Sequence, residues 1–432
     1  MNDTVNDDLL ARTREVLPAW LALYYERPIE IDRGDGRRVW DADGNCYLDF
    51  FGGILTTMTA HALPEVTKAV SDQAGRIIHS STLYLNRPMV ELAEQVATVS
   101  EIPDAKVFFT TSGTEANDAA LLLASTLRRS NQILAMRNSY HGRSFSTVAI
   151  TGNRTWSPTS LSPFQVFYLH GGQQYRSPYA GLSDGEYVAA CVADLKDLLD
   201  QAGGDVAALI AEPIQGVGGF TSGPDGLYGA FAEVLRERGI LWISDEVQTG
   251  WGRTGEHFWG WQAHGATPDV VTFAKGIGNG LSMGGVIARA EVMDCLGANS
   301  ISTFGGSPLT AAGALANLRY LLDHNLQDNA ARHGPTLLAG LRAVESPIVG
   351  DVRGKGLMIG VELVRPGTGA PGEPAPELAG AVLEATRRRG LLVGKGGLHG
   401  NVLRIAPPLT LTADEAAEGL AALVASIEEV TP

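Results

Sequence analysis

From about residue 105 to residue 290 the sequence alternates short apolar runs with helical patterns, and that alternation leaves few folds open. KVFFTTS, QILAMR, VAALIAEP, ILWISDEV, DVVTFAKG and GGVIA lack strict polar alternation, which is how strands buried on both faces read. EANDAALLLASTLRR and GLYGAFAEVLRERG lie between such runs with helical spacing, so the connections are right-handed crossovers in a mostly parallel sheet. A large α/β domain follows. After Ser307 the pattern changes to two longer helices, 308–324 and 328–344, then DVRGKGLMIGVELV, a helix at 375–390, LLVGKGG, VLRIAPP and a terminal helix from Thr412. This is a smaller α+β unit. PGTGAPGEPAP (366–376) reads as an exposed loop between ordered segments.

Composition narrows the function. The 432 residues, 44% hydrophobic and 19% charged, suit a compact protein of two or three units. Acidic residues outnumber basic ones, 48 to 33, and the formal charge of -15 argues against nucleic acid or an anionic membrane surface as a partner. No apolar run approaches the roughly 18 residues of a bilayer span, and the start, MNDTVNDD, is acidic, so a cytoplasmic protein is expected. Cys46, Cys191 and Cys295 form no CxxC pair, and no metal site or disulfide framework is expected. The patterns GxGxxG in a strand-turn-helix setting, GxxxxGK[ST] and HExxH are absent.

Three of the buried-type strands finish on ionisable residues: Glu212 after LIA, Asp245 and Glu246 in LWISDE, and Lys275 after VVTFA. Ligands of open parallel sheets bind beyond the carboxyl ends of strands, so these side chains are expected to converge. Lys275 is one of only six lysines; desolvated at a strand end, its amine becomes a usable nucleophile toward an aldehyde, against the alternative of a snorkelling surface lysine. Asp245 on an apolar strand needs a cation or several donors. A protonated pyridine nitrogen is one candidate; a salt bridge to Arg253 is the plain alternative. Ser112, Gly113 and Thr114, between a strand and a helix, offer free backbone N–H groups to an anion, although SxTE is also a capping box.

These residues sit within eight segments that together resemble the class III aminotransferases, pyridoxal-phosphate enzymes of fold type I, over nearly the whole chain: TTSGTEANDAA (110–120), SYHGRSF (139–145), AEPIQGVGG (211–219), SDEVQTGWGRTG (244–255), FAKGIGNG (273–280), STFGGSPL (302–309), GDVRGKGLMIGVEL (350–363) and LRIAPPL (403–409). The resemblance implies a large domain (51–310) with a mostly parallel seven-stranded sheet flanked by helices. It also implies a small α+β domain (311–432), with residues 1–50 packing against the latter. It implies pyridoxal 5'-phosphate as cofactor, joined to Lys275 by a Schiff base, with Asp245 on the pyridinium nitrogen and Gln248 on the phenolic oxygen. Ser112, Gly113 and Thr114 would cradle the phosphate, Tyr140 would stack on the ring, and His141 and Glu212 would complete the cofactor's surroundings. Thr303 would reach the phosphate of a neighbouring subunit, which implies a homodimer with shared sites, with a tetramer also open.

By the same resemblance Arg404 would anchor a substrate α-carboxylate through its guanidinium fork, and Arg143 a distal carboxylate. Members using glutamate often carry a glutamate where this chain has Val217, so Arg404 is expected to be unscreened. Val217, together with segments 79–97, 256–264 and 390–397, looks most like the alanine-glyoxylate aminotransferase 2 group. The implied reaction is ping-pong transfer of an amino group from an ω-amino acid such as β-alanine or 4-aminobutyrate, or from alanine, to pyruvate, glyoxylate or 2-oxoglutarate. Racemase, decarboxylase or phospholyase chemistry on the same scaffold, and a catalytically idle scaffold, are the rivals.

Overall fold

The structure, a computed structural model, describes residues 3–432 apart from Ser160 and Gly204. Its strands in chain order are β1 (Ile31–Asp35), β2 (Arg38–Asp41), β3 (Cys46–Asp49), β4 (Ala105–Thr110), β5 (Gln132–Met136), β6 (Gln165–Leu169), β7 (Val206–Ala211), β8 (Leu241–Asp245), β9 (Val270–Ala274), β10 (Gly284–Arg289), β11 (Val349–Lys355), β12 (Met358–Leu363), β13 (Leu391–Leu392), β14 (Gly394–Gly396) and β15 (Val402–Ile405).

Seven of them form one sheet in the order β4-β10-β9-β8-β7-β5-β6. The pairs β9/β8, β8/β7, β7/β5 and β5/β6 are parallel, while β10 runs antiparallel to both neighbours. Every residue of β7, β8 and β9 is buried, because both faces of the sheet are covered. Alternate side chains serve two cores. Leu209, Trp242, Val271 and Phe273 pack into one; Ala208, Ile210, Ile243 and Val270 pack into the other, against Ala116, Ala120 and Leu121 of the helix Gly113–Arg128. A fully buried Leu, Ile, Val or Phe side chain contributes about 1.5–3 kcal/mol, so these two layers hold the sheet in place with its carboxyl edge open.

β11, β12, β15 and β14 make a second sheet, and β1, β2, β3 and β13 a third. The third joins the chain's two ends, since β13 pairs in parallel with β3. Phe50 N–H donates to Leu392 O at 2.9 Å, and Ala406 N–H to Phe50 O at 2.7 Å, which carries the segment after β3 to the floor of the site. The two helices after Ser307 span Pro308–Asp323 and Leu326–Arg342, the second starting two residues before the expected 328, at a left-handed Asn325 (φ 49°). The loop at 366–376 is largely exposed, yet it is tied down: Arg176 Nη1 donates to Gly372 O at 2.8 Å and the Tyr175 hydroxyl to Pro371 O.

Candidate active site

Because β7, β8 and β9 are adjacent and parallel, their carboxyl ends bring Glu212, Asp245 and Lys275 to one place. A cavity of about 370 Å³ opens there, lined among others by Ser112, Gly113, Thr114, Tyr140, His141, Gln248 and these three. Lys275 follows β9 in the left-handed region at φ 49°, an unusual backbone for a side chain of this size. Desolvation pulls its ammonium down to about 8, aided by the Arg404 charge and opposed by Asp245 and Glu212.

Asp245 is buried and engaged by three partners. Asn117 Nδ2 and His141 Nδ1 each lie 2.8 Å from Oδ2, and Val247 N–H donates to Oδ1 at 3.1 Å. Asn117 is itself held by Thr272 Oγ1–H, which donates to Oδ1 at 2.6 Å. The plain alternative of an Arg253 salt bridge does not form: Arg253 Nη1 donates to Leu357 O (3.1 Å) and Pro407 O (2.9 Å) and ties the two domains instead. Glu212 accepts from Tyr140 N–H (2.9 Å) and Gly216 N–H (2.8 Å), and burial pushes its carboxyl upward. Glu246, next to Asp245 in sequence, faces away. It accepts from Thr249 Oγ1–H, Gly260 N–H and Trp261 N–H and organises a turn.

Ser112 is the N-cap of the helix Gly113–Arg128, accepting from Glu115 N–H at 3.2 Å, but the capping box does not close: the Glu115 carboxylate accepts from Thr111 N–H at 2.7 Å instead of from the Ser112 backbone. The cap leaves the N–H groups of Gly113 and Thr114 without a protein acceptor among the described residues, aimed past the first turn as at any helix start. Gly113 packs against Val247, where a Cβ would meet Val247 Cγ2 at 2.9 Å. Tyr140 stands on the cavity wall with its ring edge-on to Trp156 at 5.6 Å.

Arg404, in the middle of β15, is buried at 4% exposure, and Nη2 donates to Gln248 Oε1 at 2.8 Å. Among the described residues no carboxylate pairs with it, Nε has no acceptor, and desolvation lowers the guanidinium to about 10. Arg404 does not itself line the cavity and adjoins it through Gln248, which does; Arg143 and Thr303 do not line it either. Arg143 is exposed with its guanidinium 5.1 Å from the Trp20 ring centre, and Thr303 is exposed between Ser302 and Phe304. Asn117, Thr272, Phe51 and Phe220 were not singled out from sequence. Asn117 had a signal, an amide inside TEANDAA on a helix face that must be buried; the two phenylalanines had none.

The donor set fits a phosphorylated pyridine aldehyde: a depressed lysine, a buried carboxylate with satisfied partners, and free N–H groups at a helix start share one cavity. The structure is similar to that of an (S)-enantioselective omega-transaminase from Thermomicrobium roseum, with a TM-score of 0.90, 36% identity and 98% of each chain covered. Fold and site thus define a pyridoxal-phosphate transferase of fold type I. The family described as aminotransferase class-III matches residues 23–427, and the chain belongs to that family as a pyridoxal-phosphate-dependent aminotransferase. Among similar proteins are alanine–glyoxylate aminotransferase 2 homolog 2, mitochondrial, of Arabidopsis thaliana (39% identical, covering 95% of this chain and 85% of that one) and the acetylornithine aminotransferase of Methanothermobacter thermautotrophicus (38%, 91% and 92%). Among the described residues no helix is long and apolar enough to cross a membrane.

Proposed function

We propose that this aminotransferase moves an amino group from a small carboxylated donor, alanine or an ω-amino acid such as β-alanine or 4-aminobutyrate, to pyruvate, glyoxylate or 2-oxoglutarate. The observation that carries the reading is Arg404: a buried cation facing Gln248 with no carboxylate of its own is costly unless a ligand supplies one. When bound, pyridoxal phosphate supplies an electrophilic carbonyl and a ring that withdraws the electron pair left when a proton departs the substrate carbon. Lys275 Nζ, largely able to shed its proton near pH 8, acts as nucleophile and then as proton carrier. Asp245 would face the ring nitrogen, its carboxylate held in place by Asn117 and His141. The N–H groups of Gly113 and Thr114 would hold the phosphate with Ser112 behind them, Tyr140 would cover the ring, and Gln248, hydrogen-bonded to Arg404, would meet the ring's phenolic oxygen. Glu212, held by two backbone N–H groups, supports the floor.

We further infer a homodimer. Leu83, Tyr84 and Leu85 are 70%, 72% and 101% exposed, and Phe304 packs against His79 at 5.1 Å while remaining 62% exposed. Phe304 follows Thr303 directly, and exposed apolar side chains of this kind suit a partner surface. A second copy there would bring Thr303 toward the neighbour's phosphate-binding loop.

Visible spectra of the holoenzyme with β-alanine, 4-aminobutyrate, L-alanine or ornithine, without oxo acid, test the reaction. Bleaching of the cofactor's band by one amine, reversed by pyruvate or glyoxylate, is expected. Release of a racemised amino acid, or of phosphate or carbon dioxide, without an oxo-acid product would replace it with one of the rival chemistries.

A further inference from the structure

Phe220 is 1% exposed and adopts φ 53°, a left-handed backbone that a bulky side chain rarely takes. Such a conformation persists only where surrounding structure enforces it. Gln215 N–H donates to Thr221 O at 2.8 Å within the turn, and Arg353 Nε to Gly219 O at 3.1 Å and Gly397 N–H to Val217 O at 2.9 Å pin it from the small domain. Its ring centre lies 4.7 Å from Arg404 Cζ.

Phe51, from the segment after β3, puts a second ring centre 5.1 Å from the same carbon. Room for this pair is made on β14, where Gly394 pairs with Arg404. A Cβ on Gly394 would fall 2.1 Å from Phe51 Cε2, and one on Gly396 would fall 2.6 Å from Arg404 Cδ. Tyr24 stacks on Phe51 at 6.2 Å and donates its hydroxyl to Lys395 O at 3.1 Å, closing the outer side. Three distant segments therefore converge on one guanidinium, whose charge is met by aromatic faces and one amide oxygen.

We propose that Phe51 and Phe220 are positioning residues that fix Arg404 in the site, so that a carboxylate on the amine donor is obligatory and carboxylate-free amines are refused. An arginine free to swing out could vacate the site for an apolar substituent. One held between rings, with Gly394 and Gly396 shaped around it, cannot, and an apolar group would face a buried, unpaired cation. The inference rests on the reading of Arg404 as the carboxylate anchor.

The test compares L-alanine with isopropylamine, which replaces the carboxylate by a methyl group, in the holoenzyme and in Phe220→Leu and Phe51→Leu. It also titrates propionate against the visible band of the bound cofactor, a readout that needs no turnover. The unaltered enzyme should prefer L-alanine by roughly 10⁴-fold in kcat/KM. Each variant should weaken propionate binding about tenfold, raise KM for alanine more than it lowers kcat, and narrow the preference. In an Arg404→Lys background Phe220→Leu should have no further effect on propionate. Propionate binding lost in Arg404→Lys yet unchanged in both phenylalanine variants overturns the clamp alone. Propionate binding indifferent to Arg404→Lys overturns the anchor, and the clamp with it. Should Phe220→Leu fail to fold, Phe51→Leu, on a different segment, decides the matter.

Discussion

Arg404 Nη2 donates to Gln248 Oε1 at 2.8 Å, and both side chains are buried. The amide satisfies one nitrogen without neutralising the charge, and at about 10 the guanidinium stays protonated at neutral pH. Arg404→Lys keeps the charge and loses the planar fork. It should reduce kcat/KM for carboxylated donors by about 100-fold, mostly through KM, because bidentate recognition is lost. Steady-state kinetics with L-alanine and β-alanine check this; an effect below threefold would remove Arg404 from the binding site.

Lys275 supplies a pH prediction with two parts. Its folded-state value near 8 lies below the ordinary 10.5, so the folded apo-protein binds fewer protons than the unfolded chain between those values. The penalty is therefore full below about pH 8 and relieved as pH rises toward 10.5. Lys275→Met should stabilise the apo-protein at pH 7 by about 1–3 kcal/mol, with the gain shrinking by pH 10. Urea unfolding at the two pH values measures it. In the same window, capture of pyridoxal phosphate by the unsubstituted apo-protein should accelerate with a midpoint near pH 8.

Asn117 connects Thr272 to Asp245 and also donates to His141 O at 2.8 Å. Asn117→Leu strands the Thr272 hydroxyl and leaves Asp245 a donor short, at a cost of about 1–3 kcal/mol. The expected outcome is cofactor affinity lower by about tenfold or more, read by equilibrium dialysis, and a shifted visible pH titration. An unchanged titration would make Asn117 a packing residue only.

His264 is 5% exposed, packs edge-on to Tyr228 at 4.7 Å and has no partner for Nδ1 among the described residues. Burial pulls its imidazole down to about 4, so it is neutral in the folded protein at pH 7. The unfolded chain takes up a proton near 6.5, and stability is lost as pH falls from there toward 4, by at most about 3 kcal/mol. His264→Phe should flatten the fall in Tm between pH 7 and pH 5 relative to the unsubstituted protein. Parallel curves would show that other groups carry the acid sensitivity.

Much of this was legible in the chain. Buried parallel strands must be apolar on both faces, so VAALIA, LWISD and VVTFA announced themselves, and an ionisable residue at each end stood out against that background. The lysine, the aspartate and the helix-start loop follow from such local contrast. Asn117 lies inside TEANDAA, yet its partner Asp245 is 128 residues away, and only the crossing of helix and sheet joins them.

Arg143 and Thr303 show the opposite case. Their motifs are intact, but Arg143 lies over Trp20 and Thr303 is exposed, away from the cavity, a placement that no local pattern encodes. The sequence by itself determined the α/β class, the chemical identities at the strand ends and the residues offered to the cofactor, because periodicity and burial are written between near neighbours. Tertiary structure alone decided that Phe51, Phe220 and Gly394 meet around Arg404. Contacts among residues so far apart arise from how three sheets pack, and side-chain spacing along the chain carries no record of them.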